Sequence, residues 1–171
     1  MGAKFMKEIL LTGFCGTSSE LIVNKAACKS PVLPNDKVLD SQILLVQLGR
    51  HDYRYIFSFG QKPNIKDKVY IETTARNGSR SFYTDFVYDK LQEALKGEKI
   101  SVRISDNVGT SFCNTLYRNV LEYICDKILE TKMLFLHVPF FSDLMSDTIS
   151  CRENVVNFGS YRLQAVAPFA V

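Results

Sequence analysis

Tryptophan is absent from the 171 residues, histidine occurs only twice, and no apolar run approaches the length of a membrane span. No membrane partner is expected. Lys4 and Lys7 precede only a short apolar run, Ile9 to Leu11, too brief for a signal-peptide core, so the cytoplasm is the expected address. The five cysteines, Cys15, Cys28, Cys113, Cys125 and Cys151, are odd in number and lack short paired spacings. That argues against a disulfide framework and against a zinc site. Lys and Arg number 21 against 18 acids, a net charge of +3 without any dense basic block, so no nucleic-acid partner is expected. Repeats, low-complexity tracts and linkers are missing too.

What remains is the composition of one globular domain over residues 1–171, with 46% hydrophobic and 23% charged residues and twelve Phe and eight Tyr suited to a core. Strand-like runs are expected at Glu8 to Thr12, Lys37 to Leu39, Tyr55 to Phe59, Val69 to Thr73, Ile100 to Ile104 and Met133 to Pro139. Helical patterns fall between them. One, capped by Ser18 or Ser19, runs through Leu21, Ile22, Ala26 and Ala27; others cover Ser41 to Leu48 with a stop at Gly49, and Thr84 to Lys96 with a stop at Gly97. A further helix starts near Ser146. Gly60 to Pro63 reads as a loop, and Arg76 to Ser79 as a turn. Alternating strands and helices imply an α/β fold, a mostly parallel sheet with helices on both faces.

Ser105 to Asn119 is the segment with chemistry in it. A strand-type run leads through Ser-Asp-Asn-Val-Gly into a long helical pattern, which places Cys113 in or near a first helical turn. The unpaired amides and positive dipole end there favour a thiolate, so a lowered cysteine pKa is expected. His137 ends an apolar strand just before Pro139, where open α/β sheets gather their reactive groups. Cys113 and His137 are therefore a candidate nucleophile and base. His51 stands in a polar surface loop, Asp106 serves a turn, and Asn114 has local backbone groups to satisfy.

These residues resemble a known family. Ile9 to Phe14, Phe59-Gly-Gln61, Gly109 to Asn114 and Phe135 to Pro139 together are similar to the motifs of type I pyroglutamyl peptidases (pyrrolidone carboxyl peptidases, cysteine peptidase family C15). The resemblance implies a three-layer α/β/α sandwich with a mixed sheet of the phosphorylase/hydrolase-like type. It also implies a cysteine exopeptidase acting on small peptide or amide substrates without metal or organic cofactor, and assembly as a homotetramer.

Residue by residue, the resemblance makes Cys113 the nucleophile, His137 the base, and Phe14 and Gln61 substrate-binding positions. Family members carry a glutamate just before the strand after Phe-Gly-Gln, where it orients the histidine. Asp67 aligns best with it, and Glu72 on the following strand is the competing choice. The family's Gly-Phe-x-Pro-Phe-Gly-Gly loop reads Gly-Phe-Cys-Gly-Thr-Ser-Ser from Gly13, without the proline, the second aromatic or the double glycine.

Overall fold

Apolar runs as continuous as Leu134 to Leu136 need cover on both faces of a sheet. The computed structural model, which describes residues 7–26, 30–140 and 142, supplies it. The chain runs β1 (Lys7–Phe14), α1 (Ser18–Lys25), β2 (Val32–Leu33), α2 (Leu39–Arg50), β3 (Tyr53–Gln61) and β4 (Lys68–Glu72). It continues through β5 (Thr74–Asn77), β6 (Arg80–Tyr83), α3 (Asp89–Gly97), β7 (Ser101–Ser105), α4 (Phe112–Asp126) and β8 (Lys132–Val138). Six strands form one mixed sheet in the order β2-β1-β3-β8-β4-β7, and β5 and β6 pair as a separate hairpin. Every neighbouring pair in the sheet is parallel except β4 and β8, which are antiparallel. The expected α/β/α architecture with a mostly parallel mixed sheet is what forms.

The two-residue period of a strand sorts the core into two layers. Leu10, Ile56, Met133 and Phe135 face α2 and α4, packing with Leu44, Leu48, Leu116, Tyr117 and Val120. Leu11, Phe57, Phe59, Leu134, Leu136 and Val138 face α1 and α3, packing with Ile22, Val23, Leu91 and Leu95. On α4 the buried positions Leu116, Tyr117, Val120 and Leu121 recur at the helical period, and this stripe holds the helix on the sheet. The parity that sends Met133 and Phe135 toward α4 sends His137 there too, together with Thr12 and Ser58, whose hydroxyls bond each other at 2.8 Å.

Several local expectations are corrected. Lys37 to Leu39 is no strand, because the Asp36 carboxylate accepts from the Val38 and Leu39 amides at 2.9 and 2.8 Å and starts α2 there. The short strand in this region is Val32–Leu33, beside the end of β1. Gly49 lies inside α2 rather than ending it. Thr84 to Tyr88 is not helical: Phe86 is buried against Phe57 and Tyr55, and the Thr84 hydroxyl donates to the Met133 carbonyl. The turn expected at Arg76 to Ser79 is confined to Gly78, at φ 58°, and Ser79, while Arg76 and Asn77 belong to β5; it joins two strands that the residues did not announce. β3 also continues through Gly60 and Gln61, where a loop was expected. Ala27, Cys28, Cys151 and the helix expected from Ser146 lie outside the described residues.

Candidate active site

The parallel pairing of β3 with β8 sets Gly60 opposite His137 at the carboxyl ends of both strands. Cys113, in the first turn of α4, lies directly over Gly60: a β-carbon built on that glycine would stand 2.9 Å from Cys113 Sγ and 2.9 Å from the Phe135 ring. Gly60 and His137 are register partners and present the same sheet face, so the sulfur lies over the face that carries the imidazole. Among the described residues no hydrogen bond links Sγ to the ring; strand register and the missing glycine side chain are what let the sulfur sit over this face.

His137 is 1% exposed, and its Nδ1 lies 2.7 Å from Oε1 of Glu72, which is wholly buried. Glu72 ends β4, and the antiparallel register puts it beside Phe135, on the diagonal from His137. Burial pushes the carboxyl pKa up, but the contacts from His137 and Lys62 outweigh it and hold Glu72 below its ordinary value. With Glu72 ionised, Nδ1 carries the proton and donates it, leaving Nε2 as the basic nitrogen. Burial lowers the His137 pKa more than Glu72 raises it, so the resting ring is neutral.

Lys62 was not singled out from the sequence. Its Nζ donates to Glu72 Oε1 at 2.9 Å and to the Asn107 carbonyl at 2.6 Å, and lies over the Tyr70 ring. Its own amide bonds Val138 at the end of β8. One ammonium thus ties the carboxylate to the loop that leads into α4. Asn114, next to Cys113, uses its amide as a second clamp, accepting from Arg76 N and donating to Arg76 O, both at 2.8 Å. This pins the hairpin against the first turn of α4.

The expected thiolate is corrected. Burial pushes the Cys113 thiol up to about 12, more than its backbone amide contact lowers it, so the resting sulfur is protonated. Iodoacetamide at neutral pH is expected to label Cys113 more slowly than the exposed Cys15 and Cys125, with its rate climbing through the alkaline range. Peptide mass spectrometry over a pH series reads this directly; Cys113 labelling first at pH 7 would establish a preformed thiolate.

Comparison with known proteins decides the family. The pyroglutamyl peptidase family model matches residues 60–157, more than half of the chain. The chain belongs to the pyroglutamyl peptidase family. Among curated relatives, pyrrolidone-carboxylate peptidase 2 of Caldanaerobacter subterraneus subsp. tengcongensis is 28% identical over 102 residues, 59% of this chain and 46% of that protein. The pyrrolidone-carboxylate peptidase of Thermosipho africanus is 33% identical over 75 residues, 44% of this chain and 35% of that protein. The matched stretch thus spans less than half the length of these relatives. In fold, the crystal structure of Bacillus amyloliquefaciens pyroglutamyl peptidase I superposes with a TM-score of 0.73 at 18% identity, covering 90% of this chain and 95% of that one.

Against the positions expected of a pyroglutamyl peptidase, the site residues divide. Cys113 and His137 share the α4 face of the sheet. Asp67 does not join them: it is exposed in the turn before β4, and Glu72 at the far end of that strand meets the imidazole instead. Gln61 falls on the opposite face from His137 by strand alternation, where its Oε1 accepts from Ser18 N at 3.3 Å at the start of α1. Phe14 is buried at the end of β1, its ring 6.4 Å from Phe135, which in turn lies 5.1 Å from His137. Among the described residues there is no cluster of His, Cys, Asp and Glu that could hold a metal ion, and no helix long and apolar enough to cross a membrane.

Proposed function

We propose that the chain is a cysteine exopeptidase that removes an amino-terminal pyroglutamyl, or related small acyl, group by means of Cys113, His137 and Glu72. The observation that carries this reading is the buried 2.7 Å contact between His137 Nδ1 and Glu72, which leaves a neutral imidazole with its basic nitrogen free. In the first step Sγ bonds to the acyl carbonyl carbon while its proton passes to His137 Nε2. A protonated resting thiol requires this transfer to accompany attack. The α4 amides from Phe112 to Asn114, which precede the first helical bond from Thr115 to Ser111, are placed to receive the oxyanion. Collapse breaks the C–N bond, the imidazolium returns its proton to the leaving amine, and a thioester on Cys113 remains. Water, deprotonated by His137, then attacks the thioester, releases the acid and restores the thiol.

A second reading draws on the altered loop after β1 and on Gln61 being engaged at α1: a family member that binds a small amide ligand or a protein partner without turnover. A fluorogenic pyroglutamyl amide separates the two. Hydrolysis is expected, with a transient acyl adduct on Cys113 detectable by mass spectrometry of the quenched reaction. Saturable binding without fluorophore release supports the second reading, and neither binding nor release sets aside both for this substrate.

A further inference from the structure

Glu72 is wholly buried, and a buried carboxylate needs a compensating charge or it takes up a proton. A neutral imidazole donating from Nδ1 gives it a hydrogen bond but no charge. Among the described residues the ion-pair partners of Glu72 are His137 and Lys62, and both reach the same oxygen, Oε1, at 2.7 and 2.9 Å. The ammonium of Lys62 is held from several sides: Nζ donates to the Asn107 carbonyl at 2.6 Å and lies 5.2 Å from the centre of the Tyr70 ring, while the Lys62 amide donates to the Val138 carbonyl at 3.1 Å. Other groups on these elements do not supply that charge. Arg103 is exposed and stands 5.4 Å from the Tyr70 ring, and Arg76 pairs with Asp106 at 3.3 Å. From α4 come Cys113 and Tyr117, whose hydroxyl donates to the Glu72 carbonyl at 3.0 Å; burial raises both pKa values, so each group stays protonated through the neutral range. Burial also raises the Glu72 pKa, and the contacts from His137, Ser105 and Lys62 hold it down; Ser105, on β7, adds a hydroxyl but no charge.

With a neutral His137, the charges of Lys62 and Glu72 cancel. Without the ammonium, the buried pair would carry a net negative charge and would draw a proton from solution at a higher pH. Where that proton lands makes no difference to the base. On the imidazole it occupies Nε2; on Glu72 it turns the carboxyl into a donor to Nδ1, which moves the ring proton to Nε2. Either way, the nitrogen that must accept the thiol proton is taken. Resting on the Cys113, His137 and Glu72 reading above, we propose that Lys62 is a positioning residue for the pair, its ammonium balancing the carboxylate so that Nε2 stays open as the base. The role is electrostatic and is exerted through Glu72 rather than on the substrate. It has a definite sign: burial lowers the His137 pKa, Glu72 raises it and Lys62 lowers it again, so removal of the ammonium lets it rise.

Two variants of the full chain test the assignment: Lys62→Met keeps the unbranched stem without the charge, and Lys62→Arg keeps the charge. The His137 ring is followed by NMR over a pH series, with His51→Gln identifying its signals. In the wild type it is expected to titrate below its ordinary 6.5, with the proton of the neutral ring on Nδ1. Lys62→Met is expected to raise that midpoint by about one pH unit or more, and Lys62→Arg to move it less than about a third as far. On a hydrolysed pyroglutamyl amide the acid limb of kcat/KM moves up with the ring, so the Lys62→Met rate falls about tenfold on the acid side and returns to within about threefold of wild type at alkaline pH. Loss of the carboxylate in Glu72→Gln shifts the limb the other way. A merely structural tie from β3 to the Asn107 loop predicts an unmoved midpoint and an equal loss at every pH. An unmoved midpoint in Lys62→Met, or equal movement in Lys62→Met and Lys62→Arg, overturns the assignment. Should Lys62→Met not fold, Lys62→Gln, which removes the charge but keeps a donor, takes its place in the same comparison. If the wild type hydrolyses no pyroglutamyl amide, the hydrolase reading fails separately, and the ring titration still decides for Lys62.

Discussion

Glu72→Gln is expected to lower kcat on a hydrolysed amide by about three to four orders of magnitude, with Asp67→Asn within about twofold of wild type. The carboxylate has two tasks at 2.7 Å from His137 Nδ1: it fixes the tautomer that frees Nε2, and it stabilises the imidazolium formed on attack. Glutamine keeps the shape but can present its N–H to Nδ1, which selects the wrong tautomer and leaves the cation without a counter-charge. Asp67 is exposed and distant from the ring, so its loss reaches neither task. The pH profile gives a second readout. Burial holds the His137 pKa below its ordinary 6.5, so the wild-type acid limb falls at a pH under that value. Glu72 opposes that depression, and the variant's acid limb therefore moves to still lower pH. Stability follows the same contact. The folded pKa of Glu72 is depressed, so its contribution is present above the unfolded value and is lost as pH falls through the folded one. Denaturant midpoints between neutral pH and about pH 3 check this slope, which Glu72→Gln should flatten. A large loss in Asp67→Asn with Glu72→Gln unaffected would reverse the assignment.

The choice between these two acids shows where a single sequence stops being informative. Strand parity was readable: Met133, Phe135 and His137 alternate with Leu134, Leu136 and Val138, and the structure divides them between two core layers accordingly. The strand, turn and helix around Cys113 were readable for the same reason. Pairing direction was not. Because β4 runs antiparallel to β8 within an otherwise parallel set, its far end rather than its near end reaches His137, and Glu72 displaces Asp67. Parity on β4 gave no help: Glu72 shares its strand face with Lys68 and Tyr70 and lies opposite Val69 and Ile71, so it reads as an outward position, and only the neighbouring β8 and α4 bury it. Gln61 lies on a strand and not in a loop because β3 outruns its apolar core by two residues, and one step along a strand changes the face. The thiol was misjudged because a helix end is visible in sequence while the burial that opposes it is not. Lys62 had no sequence signal at all, since its contacts with Glu72 and Asn107 join residues ten and forty-five positions away.

Gly60→Ala is expected to reduce turnover by about two orders of magnitude or more, a loss larger than its cost in stability would suggest. The added methyl would stand 2.9 Å from Cys113 Sγ and equally close to the Phe135 ring. The ring is wholly buried between Phe14, Tyr117 and His137 and has little room to retreat. The sulfur, in a first helical turn and only half-buried, is the freer of the two. Relief therefore comes mainly from displacing Cys113 away from the carboxyl end of β3, opening the gap to the imidazole. A misplacement of about 1 Å is enough to cost roughly 100-fold in rate, while overpacking at one methyl costs about 1–3 kcal/mol in stability. Gly97→Ala is the matched control: it also adds one methyl, at the end of α3, but that methyl meets no atom within 4 Å. It should leave turnover unchanged and raise stability slightly, by up to about 1 kcal/mol. The decisive measurement is kcat beside the denaturant midpoint for both variants, together with the iodoacetamide rate at Cys113. Gly60→Ala should label faster than wild type as the sulfur is pushed toward solvent. If it keeps full turnover, Cys113 does not work from its seat over β3, and the nucleophile and base would have to meet by some other route.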